Sequence, residues 1–77
     1  MPASKSTAVQ VALGEAMRSA RNERGFGQEA FAKHVGLDRS YYGAIERGEF
    51  NITLTTLIKI AGGLRMRPSQ LLRRARL

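Results

Sequence analysis

Arg39, Ser40 and Tyr41 stand side by side in this chain, with Gln28 upstream and Arg47 and Asn51 downstream, and together they offer positive charge and hydrogen bonds. An arginine in the first turn of a helix can reach guanine O6 and N7 bidentately, discriminating between bases by ~1–3 kcal/mol, or it can clamp a phosphate. Tyr41 can stack, touch a thymine methyl or bond a phosphate, or simply lie packed along its helix. Catalytic chemistry has no comparable support. Ser40 has no general base arranged for it by the sequence. His34 is the single histidine and there is no cysteine, so no histidine-rich or cysteine-ligated metal site can be completed, and a structural role is expected for it. Glu15, Glu23, Glu29 and Glu49 read as solvated face residues. The expectation is a binding protein with no cofactor, metal or evident small-molecule ligand.

The charge suggests what is bound. Thirteen Lys and Arg against six Asp and Glu leave +7 on 77 residues. Residues 1–38 hold 5 basic and 4 acidic side chains, whereas residues 39–77 hold 8 and 2, with no acid after Glu49. Such asymmetry implies a polyanionic partner, although charge alone leaves DNA, RNA, an anionic membrane surface and plain solubility open. The length allows one small domain. The absence of cysteine suits a reducing cytoplasm, no apolar run approaches the ~18–20 residues of a membrane span, and the start lacks the apolar core of a signal peptide. A cytoplasmic protein is expected.

Positioning these side chains falls to helices, since no stretch alternates with period two for long enough to make a strand, while apolar residues recur three or four apart. Five helices are predicted at about 8–24, 28–35, 39–47, 54–64 and 68–75. Leu13, Met17 and Ala20 form the buried stripe of the first, and Gly25, Gly36 and Gly48 stop the first three. Four helix entries share one device, an apolar residue before the N-cap and another at N4: Phe26 with Phe31, Leu37 with Tyr42, Ile52 with Leu57, and Met66 with Leu71. Asp38 and Thr53 are the expected N-caps, while Gly27 and Arg67 are weaker ones. The fold expected is all-α, a compact orthogonal five-helix bundle over residues 8–77, preceded by a disordered tail at 1–7.

Residues 28–45, from Gln28 through Gly36 to Ile45, have the layout of a helix-turn-helix: Ala32 is small where helices cross, Gly36 turns the chain, Leu37 fills the angle and Ile45 returns to the core. Together with Leu13–Arg21, the stretch RNERGFGQEAFA from Arg21 and the stretch IERGEFNITLTTL from Ile45, the chain resembles the Cro/CI-type, or XRE, helix-turn-helix family with its lambda-repressor-like fold. The resemblance spans about residues 9–73 and implies a stand-alone regulator of the size of restriction-modification controller proteins and small phage-type repressors. It implies that Gln28 bonds a phosphate and braces the recognition helix, that Arg39, Ser40 and Ala44 face base edges with Tyr41 and Gly43 on or beside that face, and that Arg47 and Asn51 lie near the phosphate backbone. It also implies a structural pair between Arg21 and Glu46. Two departures from the family pattern stand out: Gly27 where a serine or threonine commonly caps, and Arg65 where a glycine often ends the fourth helix.

The function implied is a homodimeric transcriptional regulator on double-stranded DNA, reading a near-palindromic operator and acting by occluding or contacting RNA polymerase. Leu71, Leu72 and Leu77 are expected at the dimer interface, with Arg73, Arg74 and Arg76 either on its rim or on DNA. Two rival readings are an antitoxin-type interaction module whose DNA binding is secondary and autoregulatory, and, more remotely, a cationic membrane-surface or RNA-binding peptide.

Overall fold

A computed structural model describes residues 7–77, and the rest of the expected N-terminal tail lies outside the described residues. Five helices follow one another: α1 (Ala8–Glu23), α2 (Gln28–Val35), α3 (Arg39–Glu46), α4 (Leu54–Gly63) and α5 (Pro68–Arg74). Each lies within a residue of its predicted end. Thr7, grouped with the tail on sequence, instead caps α1 by accepting the Gln10 N–H at 3.1 Å. A hydroxyl there satisfies one of the four N–H groups that a helix start leaves open.

The caps follow the sequence chemistry elsewhere. Asp38 accepts the Tyr41 N–H at 3.1 Å and Thr53 accepts the Thr56 N–H at 3.1 Å, whereas Gly27 contributes no side-chain bond. At α5 the weak cap Arg67 is compensated from the other side, because Gln70 Oε1 accepts the Arg67 N–H at 2.8 Å. Of the helix entries, Phe26 meets Phe31 edge to face with centroids 5.3 Å apart, and Leu37, Ile52 and Met66 pack half-buried against the core holding Tyr42, Leu57 and Leu71.

The core joins all five helices through Met17, Phe31, Tyr42, Ile60, Leu64 and Leu71, each essentially fully buried. On α4 the inward side is Leu57, Ile60 and Ala61, while Leu54 and Ile58 are exposed. Leu71 requires a correction. Its side chain is 0% exposed inside the protomer, so it cannot serve a dimer interface, and only Leu72 and Leu77 near it reach the surface.

A close approach of backbone to backbone joins α1 to the end of α3. Gly14 of α1 lies against the backbone of Ile45 and Glu46, where a Cβ would fall 2.7 Å from the Ile45 carbonyl oxygen. Only a residue without a side chain lets α1 cross there. Gly25, Gly36 and Gly48 have φ of 78°, 75° and 80°, and Arg65 shares the left-handed region at 58°. No helix among the described residues is long and apolar enough to cross a membrane.

Candidate nucleic-acid interface

Glu46, the last residue of α3, fixes that helix to its neighbours. Its carboxylate is fully buried. Arg21 of α1 donates to it twice, from Nε to Oε2 at 2.7 Å and from Nη2 to Oε1 at 3.0 Å, a bidentate pair of the strong, planar kind. Gln28 of α2 donates from Nε2 to Oε1 at 3.0 Å, and the Tyr42 hydroxyl, one turn back on α3, donates to Oε2. Arg21 spends a further N–H on the Phe26 carbonyl at 2.8 Å, which holds the loop between α1 and α2. No buried side-chain nitrogen or oxygen among the described residues lacks a partner.

Burial works against the Glu46 carboxylate, but hydrogen bonds from Arg21, Tyr42 and Gln28 outweigh it and hold its pKa below the ordinary value. Burial and the Glu46 hydrogen bond push the Tyr42 hydroxyl far up, so it remains a donor. A carboxyl group with a depressed folded pKa stabilises the fold fully above its unfolded value, near 4.5, and loses that contribution as pH falls through the folded value. The stability of the domain is therefore expected to decline below about pH 4.5, the unfolded reference value. Urea unfolding followed from neutral to acid pH should show a flatter decline for Glu46→Gln than for Glu23→Gln or Glu49→Gln, whose carboxylates form only exposed pairs.

With α3 locked from behind, its outer face carries the candidate residues. Gln28, Arg39, Ser40, Gly43 and Arg47 line one shallow concavity of about 200 Å³. Gly43 forms its floor: a Cβ there would stand 3.2 Å from Gln28 Oε1 and 3.4 Å from Arg47 Nη1, so the absent side chain leaves room for both. Arg39 is exposed, with the Glu29 carboxylate 3.9 Å away, too long for a firm bond. Arg47 is held more firmly, its Nε 2.8 Å and Nη2 3.3 Å from the two Glu49 oxygens. Glu49 is thus a partner of Arg47, and Glu23 likewise bonds Arg74 at 2.8 Å.

Three expected residues stand apart from the concavity. Tyr41 leans on Phe50, edge to face with centroids 5.1 Å apart, and Asn51 is exposed beside Phe50. Ala44, one turn after Ser40 on the same side of α3, is 6% exposed and does not line the concavity. The Gln28 amide nitrogen is committed to Glu46, the last residue of α3. His34 stacks on Phe26 with centroids 5.0 Å apart, and among the described residues no group of histidine and acidic side chains could hold a metal.

Sequence reasoning missed Phe50, Gly14 and the inward bond of Tyr42. An aromatic residue between Glu49 and Asn51 in a loop was a readable sign for Phe50, and the four-residue spacing of Tyr42 and Glu46 was one for their bond. Gly14 gave no sign, because its neighbour lies about thirty residues away in the chain.

The sequence and the fold both have known counterparts. A helix-turn-helix family model, HTH_3, matches residues 17–71. The chain is 45% identical over 62 residues to the control protein C.SmaI of Serratia marcescens, covering 80% of this chain and 74% of that protein. It is 38% identical over 64 residues to the control protein C.MunI of a Mycoplasma species, covering 82% and 86%. Among solved structures it is similar to the restriction-modification controller protein C.AhdI of Aeromonas hydrophila, at 40% identity and a TM-score of 0.81, covering 84% of this chain and 98% of that one.

Proposed function

Since the chain belongs to the helix-turn-helix family matched along residues 17–71, we propose that it is a cytoplasmic, sequence-specific DNA-binding regulator of transcription with no catalytic activity. The observation that carries this reading is the convergence of Gln28, Arg39, Ser40 and Arg47 on one face of a recognition helix whose back is locked by Glu46. Arg39, at the first position of α3, reads a base edge, because helix N-terminal residues reach deepest into the major groove. Arg47 and the open N–H groups at the start of α2 meet phosphates, and Arg47 exchanges Glu49 for one of them. Ser40, Tyr41 and Asn51 complete the contact surface, and regulation follows from occluding or contacting RNA polymerase.

The protein binds as a homodimer on a near-palindromic operator, with half-sites about one helical turn, ~34 Å, apart. Two surfaces compete for the dimer contact. Leu72 and Leu77 are ringed by Arg73 and Arg76, so two copies meeting there would press like charges together. Val9, Phe50, Leu54 and Ile58 are exposed around the α1 and α4 face, and a concavity of about 290 Å³ among them is lined without any charged side chain. For a chain carrying +7, the uncharged apolar face is the one that brings two copies together without repulsion. Leu54→Asp is expected to yield monomers in sedimentation equilibrium while Leu77→Asp leaves the dimer intact; the reverse result would return the interface to the C-terminus. Selection from a random duplex pool should recover two inverted half-sites. Recovery of unrelated sequences, or stronger binding to single strands or anionic vesicles, would count against the whole reading.

A further inference from the structure

The C-terminal arginines have no place in the DNA-reading face, and their arrangement points to a second ligand. Arg24 at the end of α1, Arg65 in the loop between α4 and α5, and Arg73 and Arg74 on α5 line an open basin of about 850 Å³. No residue of α2 or α3 contributes to it. Half-buried Met66 is its accessible apolar part, since Ala20 and Leu64 are buried beneath, while Gln70 adds an exposed amide and Glu23 an acid.

Two features make the basin more than a scatter of surface charge. Arg74 is held in place, with Nη2 donating to Glu23 Oε1 at 2.8 Å and Nη1 donating to Glu23 Oε2 at 3.1 Å and Ser19 Oγ at 3.3 Å. Arg24, Arg65 and Arg73 take part in none of the ion pairs among the described residues, so the arginines around the basin outnumber Glu23, the one acid that lines it and is bonded to Arg74. Arg65 reaches it from a left-handed backbone at φ 58°, a conformation that carries a steric penalty for any residue with a Cβ.

We propose that this basin docks an acidic segment of a partner protein. The volume of the basin exceeds that of a single phosphate, and several guanidinium groups beside half-buried Met66 suit carboxylate side chains carried on a peptide with an apolar anchor. The six acidic residues of this sequence stand singly, none beside another, and its net charge is +7, so the acidic segment is assigned to another protein. The face stays open while α3 lies in a groove, which allows DNA and the partner to bind together.

A fluorescein-labelled peptide of eight glutamates serves as the probe, added to ¹⁵N-labelled protein with and without saturating duplex DNA. Amide shifts are expected at residues 20–24 and 64–74 in both states. Affinity for the peptide should fall by ~10-fold or more in Arg24→Glu/Arg73→Glu and change little in Arg39→Glu/Arg47→Glu, since each tenfold step is ~1.4 kcal/mol of lost complementarity. Duplex affinity should show the opposite ranking. Peptide shifts centred on α2 and α3, or no shifts in the DNA complex, would overturn the proposal. So would a loss of duplex affinity in Arg24→Glu/Arg73→Glu equal to that in Arg39→Glu/Arg47→Glu, because the basin would then belong to the DNA surface. If instead neither double variant altered duplex binding, the DNA reading would fail while the peptide result still decided the basin.

Discussion

Glu46→Ala is expected to remove ~3–5 kcal/mol of stability, the range found when one partner of a buried ion pair is deleted. The deletion leaves the Arg21 guanidinium buried without its counter-ion and takes away the acceptor used by Tyr42 and Gln28. Each orphaned group adds its own desolvation cost of ~1–3 kcal/mol. A domain of this size has only ~4–12 kcal/mol in total at ~0.05–0.15 kcal/mol per residue, so the variant should be marginal or unfolded. At ~4–8 °C per kcal/mol, its thermal midpoint should drop by well over ~10 °C. The double variant Arg21→Met/Glu46→Leu should recover part of that loss, since well-packed apolar residues replace buried ion pairs at little cost. A midpoint for Glu46→Ala within a few degrees of the parent would show that Glu46 does not fasten the three helices.

The second large effect comes from one atom. Gly14→Ala places a Cβ 2.7 Å from the Ile45 carbonyl oxygen and 2.8 Å from the Glu46 carbonyl carbon, and neither is a flexible side-chain end. Either α1 or α3 has to shift, and overpacking of this kind costs ~1–3 kcal/mol or more. The gain of ~1 kcal/mol in helix propensity from glycine to alanine runs the other way and only partly offsets it. Gly62→Ala provides the matched comparison. An added Cβ there meets nothing within 4 Å, so propensity alone acts and the domain should gain up to ~1 kcal/mol. Opposite signs for the two alanines in urea unfolding are the expected result. A neutral Gly14→Ala would mean that α1 does not cross α3 so closely. Because that crossing orients the recognition helix, Gly14→Ala should weaken duplex binding even in the fraction that remains folded.

These two residues also mark where the sequence is readable and where it is not. Helix positions were legible because they depend on neighbours in the chain: Asp38 and Thr53 cap as their chemistry dictates, and Gly36 turns as its freedom allows. The pairing of Arg21 with Glu46 came through the family resemblance, and the structure places the two in direct contact. What remained hidden depends on packing between distant segments. Gly14 looks like any small residue of α1 until the back of α3 is laid across it. Leu71 and Leu77 look alike in a leucine-rich terminus, yet one is fully buried and the other 53% exposed, since only the first turns toward α1 and α4. The basin of arginines drew its parts from α1, α5 and a loop, so charge counting found the excess without its shape.

The measurement closest to the central claim compares two duplexes and two proteins. Wild type and Arg39→Ala are titrated with the selected two-half-site duplex and with a scrambled duplex of equal length, at several salt concentrations. Wild type should prefer the selected duplex by ~10³-fold or more, with log K falling by roughly 0.9 per phosphate neutralised for each unit of log salt. Arg39→Ala should lose ~1–3 kcal/mol on the selected duplex and far less on the scrambled one, because a base contact carries discrimination and a phosphate contact does not. Equal losses on both duplexes would make Arg39 a phosphate clamp, and a wild type that binds both duplexes alike would contradict sequence-specific recognition by this face.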